Sequence, residues 1–224
     1  MCQNCDYTIH GAQHHFGWDN SIAPAERVEP GAQIAFHCMD SSAGQLGPTS
    51  TVEDVKTLDF GKINPVSGPI FVEGAEPGDA LKITIDSFAP REESGSAWGW
   101  TANIPGFGLL ADQFTDPALT VWKYDAKTLE PALFGEHGRV PLKPFCGTIG
   151  NALAENGLHS IVPPRRVAAI STFATSPPER CSTCRSRWRG RCSRSVTPMP
   201  RRAMARSAAP RSKVRWTRCS PSIW

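Results

Sequence analysis

Apolar and polar positions alternate most clearly in Ala80-Leu81-Lys82-Ile83-Thr84-Ile85-Asp86-Ser87-Phe88, where Leu81, Ile83 and Ile85 are separated by Lys82 and Thr84 and followed by Asp86. A period of two places one set of side chains on each face, so this stretch predicts a half-buried strand. Two further strands are predicted at Ala32–Cys38 and at Ile70-Phe71-Val72-Glu73. Turn signals precede all three: Glu29-Pro30-Gly31, Ser67-Gly68-Pro69 and Glu76-Pro77-Gly78-Asp79. Short strands at this spacing predict a mainly β, antiparallel sandwich or barrel-like body. No amphipathic helix is predicted before Pro164. The Gly- and Trp-rich stretch Gly95–Leu110 reads as a long ordered loop, whose Trp98-Gly99-Trp100 either packs against the sheet or lines a pocket.

Charge divides the chain. Of 24 Lys and Arg, 13 fall in residues 168–224, whereas of 21 Asp and Glu only Glu179 does, so the first 167 residues carry a net −9 and the last 57 a net +12. That tail is poor in branched aliphatics and rich in Arg, Ser and Pro, a composition that predicts disorder. No apolar run reaches the ~18–20 residues needed to cross a bilayer. Met1–Asp19 is polar and lacks an apolar leader core, so a cytoplasmic location is expected.

Chemistry-bearing residues gather near the N-terminus. His14-His15-Phe16-Gly17-Trp18-Asp19-Asn20 puts two imidazoles and a carboxylate within six residues, and His37, Asp40 and Gln45 follow. Neutral imidazole and carboxylate suit zinc or a related divalent metal, and they also serve as a general base and its orienting partner. The spacing matches no compact metal signature, and neighbouring histidines on a strand point to opposite faces; hydrogen-bonded structural histidines are the alternative. Cys2-x-x-Cys5 lacks the second pair of a structural zinc site, and Cys38 and Cys146 are expected to be buried thiols in a reducing compartment.

Taken in order, several stretches resemble the acetamidase/formamidase family. They are His14–Asn20, Asp40-x4-Gln45, Leu58–Pro69, Val72–Leu81, Gly99–Gly108, Gly147-Thr148-Ile149-Gly150 and His159–Arg166. The resemblance covers about residues 1–166, which are expected to form one β domain. It implies a hydrolase that converts short linear amides to a carboxylate and ammonia. It implies a small amide as partner, with a homo-oligomer left open and no specific nucleic acid or membrane. Neither a Ser-Ser-Lys nor a Glu-Lys-Cys amidase constellation is visible, so water attack assisted by a metal or a carboxylate is expected. In that scheme Asp40 acts as ligand or base, Gln45 orients the amide, His15 acts as acid or base, and His14 and Asp19 are candidate ligands of a divalent metal such as zinc.

The family pattern stops at Val167. A Gly-Gly-Asn segment and a motif of the form D-x-H-A-x-x-G-D-G-E are expected next, yet Arg180–Arg189 reads RCSTCRSRWR. A basic polyanion-binding tail on a non-enzymatic β domain is one reading, and a zinc site from Cys181, Cys184 and Cys192 is another. The third is a lost base. Reading each codon one base earlier, Met199-Pro200 dictates Ala, Met204-Ala205 dictates Gly and Trp216-Thr217 dictates Asp. With permitted codons elsewhere, residues 168–196 become GGNLDIRDLAAGAMLYLPVEVAGALFSVG and residues 197–212 become DTHAAQGDGEVCGTAI. Both missing features return at their expected places. Residues 167–224 therefore read as an out-of-frame tail, and the chain as written is expected to fold poorly and to lack full amidase activity.

Overall fold

The computed structural model describes residues 5–76, 79–89, 97–125, 132–134, 136–140 and 146–161. It also describes the backbone of five further strands between residues 168 and 219. Among the described residues the elements are β1 (Tyr7–Ile9), β2 (His14–His15), β3 (Glu26–Val28), β4 (Gln33–His37), α1 (Val52–Lys56), a 3-10 turn (Phe60–Lys62), β5 (Val66–Val72), β6 (Ala80–Ala89), β7 (Ala97–Asn103), β8 (Ala118–Tyr124), β9 (Ala132–Phe134), β10 (Gly138–Val140), β11 (Thr148–Asn151), β12 (Ala168–Ile170), β13 (Cys181–Arg185), β14 (Arg191–Ser195), β15 (Ala205–Ser207) and β16 (Arg211–Cys219).

The strands form three sheets, ordered β1-β4-β16-β6-β13, β10-β9-β8-β7-β15 and β12-β11-β14-β5-β2, with β3 also on β5. Pairing is antiparallel except for β1 with β4 and β3 with β5. The first and third sheets face each other across the main core. Ile34 and Phe36 of β4 and Leu81, Ile83 and Ile85 of β6 pack in one buried cluster with Ile70 and Val72 of β5 and Ile149 of β11. The alternation read in β6 is realised: Leu81, Ile83 and Ile85 are buried while Lys82 and Asp86 are exposed. Full burial of such a side chain is worth about 1.5–3 kcal/mol, which is why the pattern fixes the face this strand presents.

Three local expectations are revised. Ser67-Gly68-Pro69, expected as a turn, lies inside β5. This strand pairs β14 along one edge and β2 and β3 along the other, so cross-strand bonding overrides the local turn signal. Much of Gly95–Leu110, expected as a loop, is β7, which pairs with β8 from Ala97↔Tyr124 to Asn103↔Ala118; its Trp and Thr residues favour a pleated surface. One helical turn, α1, interrupts the β architecture where the Asp54 carboxylate accepts from the Thr51 backbone N–H at 2.7 Å. In the tail, where composition predicts disorder, the described residues are β12–β16. Backbone N–H and C=O groups pair whatever side chains they carry, and the open edges of β4, β5, β6, β7 and β11 offer the partners.

A small cluster of Trp18, Val66, Leu153 and Ile161 ties the N-terminal segment to residues 153–161. Trp18 and His159 exchange backbone bonds of 2.8 and 2.9 Å, an approach that requires a glycine at position 17. There φ is +81°, and an added Cβ would lie 2.5 Å from Leu158 Cδ1 and 2.9 Å from the His159 carbonyl oxygen. In the protein with its frame restored, Gly17→Ala is therefore expected to destabilise by about 1–3 kcal/mol, read as a lower urea midpoint at unchanged m-value.

Candidate functional site

The residues singled out from the sequence converge on the start of β5. His15 stands in register with Val66 and His14 with Ser67. Two residues before Val66, the Asn64 backbone N–H donates to the Ser41 carbonyl at 2.7 Å, which brings the Asp40–Gln45 loop to the same place. Thus the His14–Asp19 and Asp40–Gln45 segments, 20 or more residues apart in the chain, meet at one strand end.

His15 has the more distinctive environment. Its Nδ1 lies 2.8 Å from the Gly17 carbonyl oxygen. A carbonyl can only accept, so Nδ1 carries the proton and Nε2 presents a lone pair. That Nε2 is buried and has no hydrogen-bond partner among the described residues. Burial pushes the His15 pKa below 6.5, partly countered by the Gly17 carbonyl, while Asp19 also favours the protonated form. The ring is thus neutral near pH 7 and oriented as a base. His14 also holds a backbone carbonyl, that of Gly11 at 2.7 Å, and it packs edge-on against Phe16.

Asp19 is half-buried. The Ser21 hydroxyl at 2.7 Å and backbone N–H at 2.8 Å hold its carboxyl below the usual range. His159, which the sequence reading did not assign, acts on Asp19 electrostatically because the Trp18–His159 pairing draws it in. Asn20 is a clamp: its Nδ2 donates to the carbonyls of Leu153, Ala154 and Glu155 and to Asn156 Oδ1, at 3.1 to 3.3 Å.

Asp40 and Gln45 bind the protein itself. The Asp40 carboxylate accepts from the Ser42 backbone N–H and hydroxyl, from the Gly44 N–H at 2.8 Å and from the Trp100 indole N–H at 3.4 Å. These bonds hold a tight turn in which Ala43 takes the left-handed φ of +57°. Gln45 Nε2 donates to the carbonyls of Ser42, Asp59 and Lys62, while its Oε1 accepts from the Asp59 N–H at 2.7 Å. The direct catalytic roles expected for these two side chains therefore meet groups whose hydrogen-bonding capacity is already engaged. Trp100 is buried with Leu46 and Val55, the packing role weighed for the Trp-Gly-Trp stretch, while its indole edge also reaches Asp40.

Sequence reading missed other groups here. Trp18 Nε1, Ser41 Oγ and both polar atoms of the Asn151 carboxamide are buried without a partner among the described residues. Asn151 lies two residues before Leu153, which packs with Trp18 and Val66. Folded proteins seldom leave such atoms unsatisfied away from functional places, and an isolated Asn or Ser carries no sequence signal of that state. Among the described residues no group of three or more His, Cys, Asp and Glu side chains is placed to hold an ion, so His14 and Asp19 have no third ligand among them.

The family model of the Acetamidase/Formamidase family matches residues 4–213. An acetamidase of Mycolicibacterium smegmatis is 33% identical over 118 residues, covering 49% of this chain and 29% of that protein. A formamidase of Methylophilus methylotrophus is 34% identical over 115 residues, covering 50% of this chain and 28% of that protein. The chain thus matches these curated relatives over less than a third of their length. Among solved structures, a predicted acetamidase/formamidase of Thermoanaerobacter tengcongensis superposes with a TM-score of 0.78 at 22% identity, over 96% of this chain and 70% of that one. A gamma lactamase from Delftia acidovorans gives 0.79 at 18% identity, over 95% and 68%. Both share the mainly β architecture described above. With the family model spanning nearly the whole sequence, the chain belongs to the Acetamidase/Formamidase family.

Proposed function

We propose that this fold serves the hydrolysis of short linear amides, formamide and acetamide among them, to a carboxylate and ammonia. The names of the relatives support the reaction class, and the orphaned Nε2 of a neutral, buried His15 is the single observation that carries the mechanism. With its other nitrogen committed to Gly17, Nε2 takes a proton from a water as that water attacks the amide carbonyl. The imidazolium formed is favoured by the Asp19 charge and returns the proton to the departing amine, so that water and amide become acid and ammonia. The unpartnered Asn151 carboxamide matches a primary amide: its Nδ2 can donate to the substrate carbonyl and its Oδ1 can accept from the substrate amine. Asp40 and Gln45 serve as positioning residues that keep the Ser41–Asn64 contact, and with it the start of β5, in place.

The chain as written is expected to be impaired, and the chain translated in the restored frame competent. Ammonia release from formamide and acetamide by both proteins tests this; release by neither would overturn the assignment. In the active protein His15→Gln should lower kcat by about 10²–10⁴-fold.

The rate should be level above pH 6.5 and fall as pH drops through the lowered pKa of His15, because protonation removes the base. An acidic limb centred above 6.5 would be inconsistent with a buried His15 base.

Asp40→Asn should lower stability by about 1–3 kcal/mol through weakened hydrogen bonds in the turn. Because the turn acts through Ser41 and Asn64, KM should change more than the pH at which the acidic limb falls.

A further inference from the structure

Strands β13, β14 and β16 occupy positions that the rest of the fold treats as interior or core-bordering. β14 lies between β11 and β5, and β16 between β4 and β6. Register sets Cys184 and Arg218 on either side of Leu81, and Ser182 and Trp216 on either side of Ile83. Val214 falls between Ile34 and Ile85, Cys192 between Ile70 and Asn151, and Arg194 beside Ile149. Ile34, Leu81, Ile83 and Asn151 are each 0% exposed. Yet Arg218 and Arg194 stand opposite Leu81 and Ile149 of the buried core, and Arg is almost never fully buried without a partner. Backbone pairing and side-chain composition point in opposite directions here.

A shift of frame changes several of these residues whatever codons are chosen. When each triplet is read one base earlier, the TGT or TGC of cysteine and the TGG of tryptophan become NTG, which is Leu, Met or Val whatever residue precedes. Cys181, Cys184, Cys192, Trp216 and Cys219 all change in this way. Arginine written CGN becomes NCG, which is Ser, Pro, Thr or Ala, so the charge disappears. Serine written TCN becomes NTC, which is Phe, Leu, Ile or Val. Cys-Ser-Thr-Cys-Arg of β13 thereby admits MLYLP, and Arg-Cys-Ser-Arg-Ser of β14 admits ALFSV, both apolar strands.

We propose that residues 168–219 are translated one base out of the frame for which these sheets are built, and that the native β13 and β14 are largely apolar while β16 is apolar at position 216 and acidic at 217. The inference stands on register and codon structure, independently of the reaction assigned above. It bears on the site through two described strands. β14 adjoins Ser67, the register partner of His14, and β15 pairs with β7 at Trp100, the donor to Asp40. In the restored frame the segment that these two strands bracket is the one that turns acidic.

The test expresses two genes, one as written and one with a single base inserted at codon 167. Each purified protein is followed by urea unfolding and by hydrogen exchange at the Leu81 and Ile83 amides. The restored protein should unfold in one cooperative transition with exchange slowed by about 10³-fold or more, and the protein as written should show neither. Cooperative unfolding with equal protection in the protein as written would overturn the inference, as would failure of the restored protein to gain either. A restored protein that unfolds cooperatively but releases no ammonia would reject the amide reading and support the frame inference.

Discussion

The fold hangs on one ladder of backbone hydrogen bonds, that of β16 between β4 and β6. β4 and β6 carry much of the apolar surface in the main core, Ile34 and Phe36 on one, Leu81 and Ile83 on the other. They are not neighbours in their sheet; the nine residues Arg211–Cys219 join them. Without that ladder each strand would present an unpaired edge next to core side chains, and the facing sheet of β5 and β11 would lose a continuous surface to pack on. The N-terminal two-thirds of the chain therefore supplies most of the described core, while its far end supplies the connection.

What could be read from residues alone follows from this division. β6 was legible because Leu81, Ile83 and Ile85 face a core while Lys82 and Asp86 face water, and burial imprints a period of two. β4 was legible as an apolar run. β7 was hidden because its order comes from pairing with β8, which Trp-Gly-Trp does not encode locally, and the Ser67-Gly68-Pro69 segment was masked by a turn signal that its neighbours override. The strands of the tail were illegible for a different reason: their register derives from edges elsewhere, and their own residues argue against it.

The site shows the same pattern. His14, His15, Asp19, Asp40 and Gln45 could be found because His, Asp and Gln in proximity attract attention, and the structure brings their two segments to the start of β5. It also separates them by environment, a property no spacing conveys. His15 keeps a buried nitrogen without a partner, whereas the Asp40 and Gln45 side chains are bound into a turn. Asn151 and Ser41 become notable only through burial, since the same residues on a surface would be ordinary.

The place of β16 also sets an order of events during synthesis. The strand that joins β4 to β6 emerges from the ribosome well over a hundred residues after both of them, so neither can complete its sheet while the body is being made. Until then the nascent chain must carry apolar faces and open edges, the state in which β proteins misassociate. A longer interval prolongs that exposure, and a cell that makes this protein depends on β16 arriving in a sequence able to close the sheet.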